Sequence, residues 1–194
     1  ENDPVVMAGG PCVVNPFPLV DFIDSFSLGD GEQTLDELAA LYNENKKAGG
    51  TRGDFLRKAA KIDGVYVPSV GKENVRRAVI ADLDSAYFPT APQVPNIEAV
   101  HNRAVLEIFR GCTRGCRFCQ AGMIYRPVRE RSVETIVGYA EELIDNCGFD
   151  EISLSSLSTC DYPDLRPLLQ KLKPITDARK VTIALPSTRV DSFE

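Results

Sequence analysis

Three cysteines crowd into eight residues, within the run Arg110-Gly111-Cys112-Thr113-Arg114-Gly115-Cys116-Arg117-Phe118-Cys119-Gln120-Ala121-Gly122. The spacing is CxxxCxxC, with an aromatic directly before the third cysteine. Three thiolates suit three irons of a [4Fe–4S] cluster, which normally takes four cysteines. One iron then stays open to another ligand, and an open metal position signals chemistry rather than structure alone. Gly111, Gly115 and Gly122 allow the backbone to wrap closely around such a group. The competing readings are a zinc site or three unpaired thiols. Structural zinc usually takes four protein ligands. The single histidine, His101, falls before the strand that leads to the loop.

The other cysteines, Cys12, Cys147 and Cys160, are scattered. A disulfide-stapled secreted domain is denser and more evenly spaced in cysteine, so this usage points to a reducing compartment. Cys147 falls on an apolar helix face, where cysteine behaves as a small hydrophobe. Seven arginines and two glutamates lie between residues 103 and 131, giving that stretch +5 in a chain of net charge −6. The arginines at 110, 114, 117, 126, 129 and 131 either offset a thiolate-ligated cluster and tie down the loop, or meet a phosphate-bearing substrate such as RNA. No series of stacking aromatics accompanies them, which favours the first reading.

The elements that position this loop follow from periodicity. Ala104 to Phe109 reads as a strand ending at the loop. Ser132 caps a helix with apolar positions Val133, Ile136, Val137, Ala140, Leu143, Ile144 and Cys147, stopped by Gly148. Glu151 to Leu157 is the next strand, Asp161 a cap for a helix faced by Leu165, Leu168, Leu169 and Leu172, and Val181 to Leu185 a third strand. A βαβαβ series of this kind predicts a parallel sheet with right-handed crossovers, open or the first part of a barrel. The cysteine loop then leaves the C-terminal end of a strand, where α/β folds place reactive sites.

Upstream, Val5 to Ala8 is a short buried strand running into Gly9-Gly10. Phe22 to Leu28 is a second, followed by Gly29-Asp30-Gly31-Glu32. A helix follows, with Thr34 and Glu37 at capping-box spacing and Leu35, Leu38, Ala39 and Tyr42 on one face. This order fits the closing part of a doubly wound sheet. Residues 51–100 are less regular, with a short helix over Phe55 to Ala60, an extended Gly64 to Pro68, a strand over Arg76 to Leu83, then Pro89, Pro92 and Pro95.

The 194 residues suit one large domain or pieces of two, and 43% hydrophobic with 26% charged residues is ordinary globular composition. No stretch approaches the roughly 20 apolar residues of a membrane span, and no leader peptide is visible. Mild acidity argues against a chain that binds nucleic acid over its whole surface. The start at Glu1 without methionine and the stop at Glu194 after a strand-like run read as an internal fragment of a longer protein.

The cysteine run resembles the radical S-adenosylmethionine (SAM) superfamily, whose signature is CxxxCxΦC with Φ aromatic, here Phe118. The resemblance implies that Cys112, Cys116 and Cys119 hold a [4Fe–4S] cluster whose fourth iron is chelated by the amine and carboxylate of S-adenosylmethionine. Reductive cleavage then yields a 5′-deoxyadenosyl radical that abstracts hydrogen from a substrate, here unknown. Phe118 is expected near the adenine. Where many members carry a Gly-Gly-Glu-like stretch, this chain reads Ser155-Ser156-Leu157-Ser158-Thr159-Cys160, so Ser156 and Ser158 are the expected contacts to S-adenosylmethionine. The N-terminal part is similar to the end of the cobalamin-binding domain of one large subgroup, with Gly9, Gly10, Gly29 and Gly31 as the expected border of cobalamin. The subgroup's Asp-x-His-x-x-Gly motif is absent.

The resemblance implies an α/β fold: residues 1–50 the end of a Rossmann-like cobalamin-binding domain, 51–100 a linker, 101–194 the first βαβαβ half of a radical SAM partial barrel. It further implies a cytoplasmic enzyme served by an electron donor such as a flavodoxin or ferredoxin, with no membrane partner. The rival class is an iron–sulfur electron-transfer module that saturates all four irons. A third reading is an RNA-modifying radical enzyme, ranked lower because no appended RNA-binding motif is present. An uncovered last strand leads one to expect self-association of the fragment.

Overall fold

The computed structural model describes residues 3–71, 74–97 and 99–192. The chain ends discussed above, Glu1 and Glu194, lie outside them. The chain divides into two units between Ala81 and Asp82.

In the first unit, β1 (Met7–Gly9) pairs in parallel with β2 (Ser25–Ser27), Met7 opposite Ser25. Next come α1 (Glu32–Lys47), α2 (Arg52–Ala59) and β3 (Val65–Tyr66), the last antiparallel to β2 with Phe26 opposite Tyr66. Leu38 of α1 is buried with Phe55, Leu56 and Ala59 of α2, and with Val65 and Val67. The Tyr42 ring meets Phe55 edge-on at 5.5 Å. Asp24 fastens the entry to this sheet: its carboxylate accepts from the Val6 amide at 2.7 Å and pairs with Arg52 at 2.6 Å.

Three expectations change here. The Thr34–Glu37 capping box does not form, because α1 starts a turn earlier, at Glu32 after Gly31. Thr34 is buried and its hydroxyl donates to the Asp30 carbonyl at 3.4 Å, while Glu37 accepts from Gln33. The reciprocal box belongs to α2, where Thr51 Oγ1 accepts from the Asp54 amide and the Asp54 carboxylate accepts from the Thr51 amide. Residues of the expected 51–100 linker divide between the two units, at Ala81 and Asp82. Their apolar residues close against partners far along the chain, Phe55 on Leu38 above all. The expected strand over Arg76 to Leu83 reduces to a single parallel bridge, Ala78 to Gly29.

In the second unit, β4 (Ala104–Glu107) is followed by β5 (Phe109–Arg110), α3 (Ala121–Ile124) and β6 (Arg129–Glu130). Then come α4 (Val133–Cys147), β7 (Glu151–Ser155), α5 (Leu165–Arg179) and β8 (Thr182–Ala184). The sheet order is β4-β7-β8, all parallel, with Leu106 opposite Leu154 and Ile152 opposite Ile183. β5 and β6 form a separate antiparallel pair. This is the expected α/β arrangement. β7 buries Ile152, Ser153 and Leu154 in succession, as a central parallel strand covered on both faces does.

α4 keeps its periodicity, with Val133, Ile136, Ala140, Leu143 and Ile144 buried. Ser132 Oγ accepts from the Thr135 amide at 3.2 Å, and Gly148 ends the helix in the left-handed conformation at φ 67°. α5 lies against the same core through Leu168 and Leu172. Each of these leucines is fully buried and stabilises the fold by roughly 1.5–3 kcal/mol. The helix begins after Asp164, so Asp161 is not its cap. Asp161 lies instead in a short 3-10 turn, Thr159–Asp161. Among the described residues, no helix is long and apolar enough to cross a membrane.

Candidate metal centre

The cysteine loop is the connection of the β5–β6 hairpin. It closes where Phe109 faces Glu130 and Arg110 faces Arg129. The base is locked to the sheet. The Ile108 amide donates to the Ser155 carbonyl at 3.0 Å, and the Arg131 amide to the Ile108 carbonyl at 2.9 Å. Gly111 begins the loop at φ 90°, and a side chain there would stand 2.8 Å from the Pro127 carbonyl oxygen. Only glycine fits this crossing.

Within the loop the three expected ligands are free, half-buried thiols. The Arg114 amide points at Cys112 Sγ at 3.5 Å, and the Gly122 amide at Cys119 Sγ at 3.4 Å. The Cys119 amide donates to the Cys116 carbonyl at 3.0 Å. Two of the three sulfurs thus already receive backbone N–H groups, the environment a thiolate needs. Among the described residues no three His, Cys, Asp or Glu side chains stand close enough to hold a metal ion as they are, these cysteines included. Gathering them requires local movement. Gly115, at φ 63° with nothing nearer than 3.8 Å to its missing side chain, leaves room for it. The donor set fits an iron–sulfur cluster in chemistry and number: three thiols on one glycine-bearing loop.

Most of the arginines in this region are tied to the protein. Arg110 pairs with Glu107 at 2.9 Å. Arg129 donates to the carbonyls of Pro127 at 3.1 Å and Tyr125 at 3.4 Å. Arg131 is 2% exposed. It donates to the carbonyls of Glu107 and Leu83 and lies 5.5 Å from the Phe88 ring centroid and 5.4 Å from that of Tyr139. Sequence reading grouped Arg131 with the loop cations. Its burial rests on Phe88 and Tyr139, which no local pattern places beside it. Arg114 reaches the Asp161 carboxylate with two nitrogens, Nε at 2.7 Å from Oδ2.

The turn after β7 sits on the same side of the sheet. Ser156 Oγ is 3.1 Å from Thr159 Oγ1, and that hydroxyl stands 3.2 Å from the Leu154 carbonyl and 2.5 Å from that of Pro186. Ser158 is buried, at 3% exposure. Phe118, expected beside an adenine, projects into solvent at 93% exposure. Cys160 is half-buried in the same turn. Asp161 was not singled out as a site residue. Its signal is its place one residue after Cys160, at the end of the Ser/Thr run.

The expected cobalamin glycines differ in their surroundings. Gly9 ends β1, and Gly10, at φ 91°, has open space where a side chain would go. Gly31 precedes α1. Gly29, at φ 107°, has its side-chain space filled by Ala78, whose carbonyl oxygen would lie 2.1 Å from a Cβ. Gly29 therefore clears the way for this chain and not for a ligand.

Two family models match the chain. Residues 1–68 match radical SAM proteins, N-terminal, and residues 106–194 match the radical SAM superfamily. The chain belongs to the radical SAM superfamily. It is 30% identical over 196 residues to an uncharacterized protein of Methanocaldococcus jannaschii, covering 100% of this chain and 40% of that protein. It is 30% identical over 149 residues to the ribosomal protein uS12 methylthiotransferase RimO of Prochlorococcus marinus, covering 73% of this chain and 31% of that protein. Its fold is similar to that of the radical S-adenosylmethionine methyltransferase TsrM from Kitasatospora setae, solved with cobalamin and a [4Fe–4S] cluster bound. The TM-score is 0.61 at 18% identity, over 98% of this chain and 39% of that one. The chain thus spans two fifths or less of these relatives.

Proposed function

We infer that the chain carries the cluster-binding half of a radical S-adenosylmethionine enzyme, with Cys112, Cys116 and Cys119 as the three iron ligands. The observation that supports this best is the placement of three free thiols, two of them already receiving backbone N–H groups, on a loop leaving the parallel sheet. When bound, the [4Fe–4S] cluster supplies the electron that cleaves S-adenosylmethionine to methionine and a 5′-deoxyadenosyl radical. Phe118 offers an exposed ring for stacking on the adenine. Ser156 and Ser158, in the turn after β7, would be the contacts for the methionine end. Gly9, Gly10 and Gly31 would border cobalamin in the first unit, without a histidine from that unit, since His101 lies in the second. A small electron donor, such as a flavodoxin or ferredoxin, completes the reading, in a reducing, cytoplasmic setting.

Anaerobic reconstitution tests this. The chain should turn brown, absorb near roughly 400 nm and hold about four irons. Alanine at Cys112, Cys116 or Cys119 should remove the colour, and alanine at Cys12 or Cys147 should not. Equal loss from all five changes overturns the assignment. S-adenosylmethionine should then perturb the paramagnetic signal of the reduced cluster; an unchanged signal in the full-length protein favours the electron carrier.

A further inference from the structure

The turn Thr159–Asp161 is anchored. Thr159 is fully buried, its hydroxyl lies against the Leu154 and Pro186 carbonyls, and the Asp161 amide donates to the Ser158 carbonyl at 2.9 Å. The cysteine loop opposite is exposed at Thr113, Arg114 and Gly115. A side-chain link joins the tip to the anchor: the two-pronged pair of Arg114 with Asp161, whose carboxylate is 13% exposed. The same residue, Arg114, presents its backbone N–H to Cys112 Sγ.

Building on the cluster reading above, we propose that Asp161 is a positioning residue for the metal centre: by gripping Arg114 it holds residues 112–114 in the shape that keeps the Arg114 N–H on Cys112 Sγ, while Gly115 leaves Cys116 and Cys119 free to gather. The pair is well made for this. A fork-on-carboxylate contact fixes orientation as well as distance. The Arg114 hydrogen bond holds the Asp161 carboxyl down at about 2, so the grip stays charged at neutral pH. Arg189, itself paired with Asp191 at 2.5 Å, adds a second cation nearby. Hydrogen bonds to cluster sulfurs favour the reduced, more negative state and raise the reduction potential. Asp161 therefore reaches the cluster's redox behaviour without touching it.

The test uses this chain with Asp161→Asn, Asp161→Glu, Arg114→Gln, the double variant Asp161→Asn/Arg114→Gln, and Asp177→Asn as a control at an exposed pair with Lys173. Without iron, amide exchange over 112–119 should quicken about tenfold in Asp161→Asn and Arg114→Gln. It should return with Asp161→Glu and stay unchanged in Asp177→Asn, while β7 amides keep their protection in all. After reconstitution, both single variants should lower the cluster's midpoint potential, and the double variant should lower it no further than either. Equal loop exchange in every variant overturns the latch. A potential that moves as far in Asp177→Asn overturns the link to the cluster. A wild-type chain that takes up no iron while the exchange pattern holds overturns the cluster reading itself and leaves the latch as a loop-ordering contact alone.

Discussion

The Tyr162 hydroxyl donates to the Arg131 carbonyl at 2.7 Å, while its ring lies parallel to that of Phe109 at 6.3 Å. One side chain from the turn after β7 thus bolts down both arms of the hairpin that carries the cysteines. Burial raises its pKa to about 12, with nearby carboxylates adding to the effect. The folded state therefore holds the phenol proton more tightly than the unfolded chain, whose tyrosines titrate near roughly 10. The stabilisation is fully present below about pH 10 and is lost as pH rises toward and through 12. Tyr162→Phe should cost about 1–2 kcal/mol at neutral pH and flatten the alkaline limb of a urea-midpoint profile. An unchanged limb would show that other groups cause it.

Arg131 should be the least replaceable of the loop-region arginines. Arg131→Met keeps length but leaves the Glu107 and Leu83 carbonyls without its donors and removes the cation from beside the stacked Phe88 and Tyr139 rings. A loss of about 3 kcal/mol is expected. Arg110→Met, which removes a partly exposed pair with Glu107, should cost about 1 kcal/mol or less. Chemical denaturation of the two variants decides the order.

Two left-handed glycines should answer differently to alanine. At Gly148 nothing lies within 4 Å of the added methyl group, so only backbone strain opposes it, about 1 kcal/mol. At Gly111 the methyl group would also press on the Pro127 carbonyl. Gly111→Ala should lower iron uptake on reconstitution, and Gly148→Ala should lower thermal stability only.

Asp54 ties the first unit to acid pH. The Thr51 hydroxyl, the Thr51 amide and Arg57 hold its carboxyl down at about 2. Its contribution is present above roughly pH 4, the unfolded value, and fades as pH falls through 2. Asp54→Ala should shorten α2 and remove part of the drop in stability between pH 4 and 2. Circular dichroism across that window provides the check.

The regular elements around the site were legible because they repeat. α4 shows its buried face every three or four residues, with a serine before it and a glycine after it, and all of this is local. The cysteine spacing was legible for the same reason. The course of residues 51–81 was not. α2 has eight residues and β3 two, too short for a period to register, and their burial depends on Leu38 earlier in the chain. Thr34 and Glu37 show the opposite failure: the spacing of a capping box without the place for one, since Gly31 starts the helix first. Arg131 and Asp161 were hidden because their partners, Leu83 and Arg114, stand 48 and 47 residues away.

The parallel order β4-β7-β8 also partitions the consequences of mutation. Every strand of that sheet points its carboxyl end toward the rim that holds Cys112 and Asp161. The helices return at the opposite rim, through Gly148 and Lys180. Substitutions at the return rim are therefore expected to alter durability, and substitutions at the other rim to alter what the cysteine loop can hold.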